Sequence, residues 1–296
     1  MKSPPCLLRK LLSHPERLNM NLSLLETPFE PTALAAAETS SLKSTLLKQV
    51  EARDAEPMAK KVRFAKETLM PLFNELEKRN PTPELSQQIP LLKGIWFPVW
   101  STNPFQDILP GRVQHESYQI FNDNGYYANL ARYKPGQKTQ LLSWLSRWLF
   151  SYDLMIMQSY SVQTQDTGEH DHPQTPSQPS QPNQPSQSSQ PNRAYWDIQN
   201  VSIQQALRFG SISFSAETAQ TWFNRAVAKY QKTPELQQQA SMPTRRTNRV
   251  ATKQYQQISK ARPQLDNLYI DSEFRLVKTQ REKSQRPSYT VAVRLS

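Results

Sequence analysis

Glycine is scarce, with six in 296 residues, too few for the phosphate-cradling loops and dinucleotide fingerprints that need close backbone approach. Cysteine occurs once, as Cys6, which excludes an intramolecular disulfide framework and a cysteine-built zinc site. Histidine stands only at positions 14, 115, 170 and 172. No helical histidine pair, nucleophile elbow or pair of carboxylates in apolar surroundings accompanies them. His115 beside Glu116 reads as a surface residue, and Glu169-His170-Asp171-His172 as a solvated tract. No catalytic residue, metal site or cofactor is therefore assigned, and the chain is read as a non-enzyme. No run reaches the roughly 20 apolar residues that span a bilayer.

Positive charge is what the chain has in excess. Its 36 Lys and Arg against 25 Asp and Glu leave +11, which favours an anionic membrane surface or nucleic acid as partner. The basic residues cluster between 236 and 264, where Arg245, Arg246, Arg249, Lys253, Lys260 and Arg262 stand without an acid. Tyr255 is the only aromatic there and no nucleic-acid motif accompanies the cluster, so membrane phosphate is preferred to nucleic acid. Apolar residues concentrate in 42–76, 89–162, 194–230 and 265–296. This predicts one domain over 42–296, interrupted by a disordered Gln/Pro/Ser insert at 164–193 and a basic loop at 233–264. Residues 1–41 are expected to be a disordered tail, with Met20 as an alternative start.

Helical spacing of Leu42, Leu46, Leu47 and Val50, and of Val62, Leu69, Leu72, Phe73 and Leu76, predicts helices over 42–53 and 57–79, the second kinked at Pro71. From Leu91 the period shifts toward two, and strands are expected at 94–101, 112–121, 125–133 and 152–163. Asn124-Gly125 joins two of them as a tight hairpin. A short amphipathic helix over 138–150 carries Trp144, Arg147 and Trp148, which suit either a membrane interface or a cover on the end of a sheet. Strands at 194–201 and 203–214 and a helix capped by Ser215 follow. The chain then closes in two alternating segments, with Leu268, Ile270, Phe274 and Leu276 on one face of the first and Val291, Val293 and Leu295 on one face of the second. The fold class is α+β and strand-rich, with antiparallel, locally connected strands.

The stretch LLKGIWFPVWST, followed by ILPGRV, SYQIF and LYIDSEFRL, resembles the plastid lipid-associated proteins, or fibrillins, as does the helix ending ELEKRNPTPE. The resemblance implies a lipocalin-like antiparallel β-barrel with N-terminal helices. It also implies binding or organisation of carotenoids, prenylquinones or acyl lipids at thylakoid membranes or lipid droplets, on the cytoplasmic face or within a plastid. The alternatives are a lipid-droplet coat protein without an internal ligand and a basic nucleic-acid-associated protein. Gly94 and Trp96 then form the barrel floor, with Arg294 stacked on the indole. Tyr118, Phe121, Tyr127, Ile156 and Tyr160 are the expected ligand-lining positions. Asp271 is the sharpest polar candidate, against the alternative that it pairs with Arg275 or caps a turn. Trp144, Arg147, Trp148, Arg245, Arg246 and Arg249 are the expected membrane-surface residues.

Overall fold

A computed structural model describes residues 29–104, 111–134, 150–164, 194–209, 213–233, 264–280 and 286–295. Eight strands form one antiparallel sheet: β1 Gly94–Ser101, β2 Arg112–Phe121, β3 Tyr126–Tyr133, β4 Phe150–Thr164, β5 Ala194–Phe209, β6 Gln264–Ile270, β7 Phe274–Gln280 and β8 Ser288–Arg294. Each strand pairs with the next in sequence, and β8 returns to β1 through Trp96↔Arg294 and Phe97↔Val293, so the sheet closes into a ring. Every strand thus has a neighbour on both sides, although among the described residues β5 beyond Asp197 pairs with β4 alone. The narrowest seam joins β5 to β6 through Trp196↔Leu265 and Asp197↔Gln264.

The helices are α1 Pro31–Ala36, α2 Thr39–Val50, α3 Met58–Phe64, α4 Met70–Lys78, α5 Leu85–Leu92 and α6 Ala216–Lys232. A π-helical turn, Ala65–Leu69, links α3 to α4. The break expected at Pro71 thus falls one turn earlier, because the proline, which has no N–H to donate, sits in the first turn of α4, where none is needed. Phe29 and Leu34 are buried, so the ordered domain begins before residue 42 rather than after a 41-residue tail. Among the described residues no helix is long and apolar enough to cross a membrane. Residues 138–149 of the helix expected over 138–150, residues 165–193 of the insert and the basic cluster 236–262, with Trp144, Arg147, Trp148, Arg245, Arg246 and Arg249, lie outside the described residues, whereas Phe150 and Thr164 are the two ends of β4.

Helices cover the ring on its outside. Leu42, Leu46, Leu72 and Phe73 pack on Leu276, Tyr289, Val291 and Val293. In α6, Ala219, Phe223, Ala226 and Val227 recur at helical spacing and cover Ile120, Leu130, Met155 and Met157. Helix α5, absent from the sequence reading, closes one end: Leu85, Leu91 and Leu92 pack with Trp96, Phe121, Tyr127 and Trp196. Gly94 joins α5 to β1 at φ 124°, and Gly125 turns β2 into β3 at φ 80°, both in the region that disfavours a Cβ.

A register break in β1 redirects a side chain. A shift between Pro98 and Trp100 turns Trp100 outward into the helical cluster, away from the face it would share with Trp96 and Pro98 by alternation. The segment 265–280 is a hairpin rather than one strand, since Asp271 Oδ1 accepts from the N–H groups of Glu273 and Phe274, both at 2.8 Å. Conversely, 194–209 is one strand rather than two.

Candidate functional site

Inside the ring, alternation places amides between rings. Gln119, Asn129, Gln158 and Asn200 come from β2, β3, β4 and β5 and form a continuous ladder. Gln119 Nε2 donates to Asn129 Oδ1 (3.0 Å), Asn129 Nδ2 to Gln158 Oε1 (2.9 Å) and Gln158 Nε2 to Asn200 Oδ1 (2.7 Å). Arg275 on β7 donates from Nη2 to Gln119 Oε1 at 3.3 Å. The chain of amides thus ends on a cation. Linked amides of this kind hold one another's orientation in low dielectric.

Above the floor the interior is not filled. A cavity of about 250 Å³ runs past Tyr127, Leu154, Ile156, Ile198, Leu265 and Val277. Pro104 and Arg286 line it and are themselves exposed, so that end meets solvent. Arg275 lines it from within and is only 1% exposed. Its guanidinium carbon lies 4.7 Å from the Phe121 ring centroid and 5.5 Å from that of Trp96. Neither Nε nor Nη1 of Arg275 finds an acceptor among the described residues. Burial pulls its pKa down to about 9, and the neighbouring Arg294 charge acts the same way, so it stays a cation at neutral pH. Burial also pushes the Tyr127 phenol well above its ordinary value, which keeps it neutral.

The floor is held by polar contacts as well as packing. Arg294 lies 4.3 Å from the Trp96 ring centroid and donates to the carbonyls of Ser272, Lys93 and Leu91. Trp96 Nε1 donates to the Leu92 carbonyl at 2.8 Å. Gln88 of α5 accepts from Trp196 Nε1 (3.2 Å) and Asn267 Nδ2 (2.7 Å).

Of the expected ligand positions, Tyr127 and Ile156 line the cavity. Phe121 and Tyr160 belong to the floor cluster beneath it. Tyr118 borders the cavity, yet its side chain sits in the outer cluster, where its hydroxyl donates to the Phe214 carbonyl at 2.8 Å. Asp271 is not in the cavity: besides capping the β6–β7 turn, it accepts from Lys43 Nζ (2.5 Å) and Tyr269 Oη (2.9 Å) on the outside. Its alternative partner, Arg275, points into the ring instead. The residues overlooked at the sequence level are Arg275 as a lining group and the four amides. Their signal is present in the text: Gln119 stands two before Phe121, Asn129 two after Tyr127 and Asn200 two after Ile198, a polar position regularly alternating with a ring or branched side chain.

Burial opposes the Asp271 charge, but Lys43 and the two backbone N–H groups outweigh it and hold the carboxyl below the ordinary aspartate range. A carboxyl depressed on folding contributes stability that is full above its unfolded pKa, about 4, and is lost as pH falls through its folded value. Asp271→Asn is therefore expected to flatten the acid limb of stability below about pH 4. Urea midpoints measured from pH 6 to pH 2.5 for both proteins check this, and parallel curves would contradict it.

No family model, curated protein or solved structure compared with the chain matches it, so the meaning of the site rests on its own geometry.

Proposed function

We propose that this protein binds a hydrophobic molecule inside its closed sheet and does no chemistry on it. The observation that carries the reading is the cavity. An eight-stranded ring can be filled by its own side chains, yet about 250 Å³ stays open between apolar walls and a few fixed polar groups. No carboxylate, histidine or cysteine stands among the described lining residues, which supports carriage over catalysis. The volume favours a single acyl chain or a short isoprenoid over a long polyene pigment. It also favours an internal ligand over a droplet coat protein without one. On this reading the ring is a lipocalin-like barrel of the fibrillin kind, working at the surface of photosynthetic membranes or lipid droplets. The +11 charge favours an anionic lipid surface as its neighbour.

Organic extraction of the purified protein followed by mass spectrometry tests the proposal. One lipid or isoprenoid in near-equimolar amount is the expected result, and bulk phospholipid alone would count against it. Ala131 lines the cavity, and Ala131→Phe would place a ring in the open volume. The variant is expected to fold and to bind a fluorescent acyl probe roughly tenfold or more weakly. Undiminished binding would put the ligand elsewhere.

A further inference from the structure

The least economical feature of the interior is Arg275. It is a cation buried at 1% exposure, and among the described residues its one hydrogen bond is a long one to Gln119 and two of its nitrogens lack acceptors. A buried charge is ordinarily matched by an opposite one, because neither an amide nor a ring face offsets the loss of water as a carboxylate does. No acid stands among the described lining residues, and the second cation there, Arg286, lies at the exposed end. The other buried arginine clusters are built differently. Arg132 meets Asp153 at 2.6 Å and Arg112 meets Asp54 at 2.5 Å. The fold therefore supplies carboxylates to buried guanidinium groups elsewhere and leaves this one, facing the cavity, without.

Orientation is fixed as well. Trp96 and Phe121 hold the guanidinium by their ring faces. Gln119 is itself held by the amide ladder, so the nitrogens without acceptors cannot readily turn to a protein partner. Between Arg275 and the exposed end the walls include Leu154, Ile156 and Val277. The site thus offers a positive charge at depth and an apolar passage leading to it.

We propose that Arg275 docks the carboxylate of a single-chain amphiphile, whose hydrocarbon tail runs along the cavity toward Arg286. This rests on the cavity being a ligand site, and it adds the chemical class of the ligand and the residue that selects it. The carboxylate supplies both the missing acceptors and the missing charge. Arg286, at the exposed end, draws the anion in.

Laurate and dodecanol, which share a tail and differ in the head, separate the two claims. By isothermal titration calorimetry on the full chain, laurate is expected to bind roughly 10- to 100-fold tighter than dodecanol. Arg275→Met keeps the length and removes the charge, and replacing a buried charge by an apolar side chain of similar volume is commonly neutral or stabilising. This variant is expected to lose the preference for laurate and keep its dodecanol affinity. Independently of any variant, the carboxyl of ¹³C-labelled laurate, followed by NMR, is expected to titrate at a lower pH when bound than when free. Equal binding of acid and alcohol by the native protein, or an Arg275→Met variant that still prefers the acid, would overturn the role of Arg275 while leaving the cavity reading intact. Failure of both ligands to bind would overturn the two together.

Discussion

Replacing Asp153 by alanine is expected to destabilise the protein by about 3 kcal/mol or more. Asp153 is fully buried and accepts from Arg132 Nε at 2.6 Å and Nη2 at 3.0 Å, and from Arg208 Nε at 3.1 Å. Arg132 is buried with it and packs its guanidinium 5.2 Å from the Phe214 ring. Removing the carboxylate leaves that guanidinium with Glu116, 3.3 Å away, as its remaining carboxylate among the described residues. The cost is the desolvation of a charge whose principal partner has gone, rather than the Coulomb energy of one pair. Arg208 is 44% exposed, and Arg208→Ala is expected to cost under about 1 kcal/mol. Urea denaturation of the two variants makes the comparison. Equal losses would mean that the cluster is a solvated surface pair. The effect should also spread to α6, since Arg132 underlies Phe214 at the entry to that helix. Hydrogen exchange over residues 216–232 is the place to see it.

Much of this ring was legible because its strands are joined locally and each carries its own signal. Asn124-Gly125 specified a hairpin and Ser215 a helix start, while the contact of the Trp96 indole with Arg294 was implied by the resemblance rather than by any pattern of residues. What alternation could not reveal was which face of a strand looks inward. In an ordinary half-exposed sheet the apolar face is the inner one, but here helices cover the outside, so both faces are buried. On β7 the more apolar face, Phe274 and Leu276, meets the helical layer, and the polar one, with Arg275, lines the cavity. The same inversion explains Tyr118, whose neighbour Gln119 is the inward residue. Helix α5 escaped notice for a different reason: it spans two turns and holds Pro90 inside, so neither period nor propensity marked it. The outward turn of Trp100 comes from a bulge, which no pattern of side-chain types announces.

Trp96→Ala is expected to cost about 4 kcal/mol, from a side chain with no exposed surface in the cluster that closes the ring. Three losses combine. The indole volume leaves a void above α5, the Leu92 carbonyl loses its donor, and two guanidinium groups lose a ring face. Phenylalanine at the same position keeps much of the volume and the ring face but not the N–H, and should recover more than half of the loss. A double-mutant cycle of Trp96→Ala with Arg294→Met isolates the stacking, because the carbonyl contacts of Arg294 are removed equally in both backgrounds. A coupling of about 1 kcal/mol is expected. A coupling near zero would make Arg294 a carbonyl-binding clasp for the ends of α5 and β7 that merely lies over the ring. The consequence for the cavity follows from the same geometry. Trp96 supports Arg275 from below, so the alanine variant should weaken laurate binding even though the indole belongs to the floor rather than to the open volume. If Trp96→Phe restores that binding while Trp96→Ala does not, the floor acts on the ligand through the position of the Arg275 guanidinium.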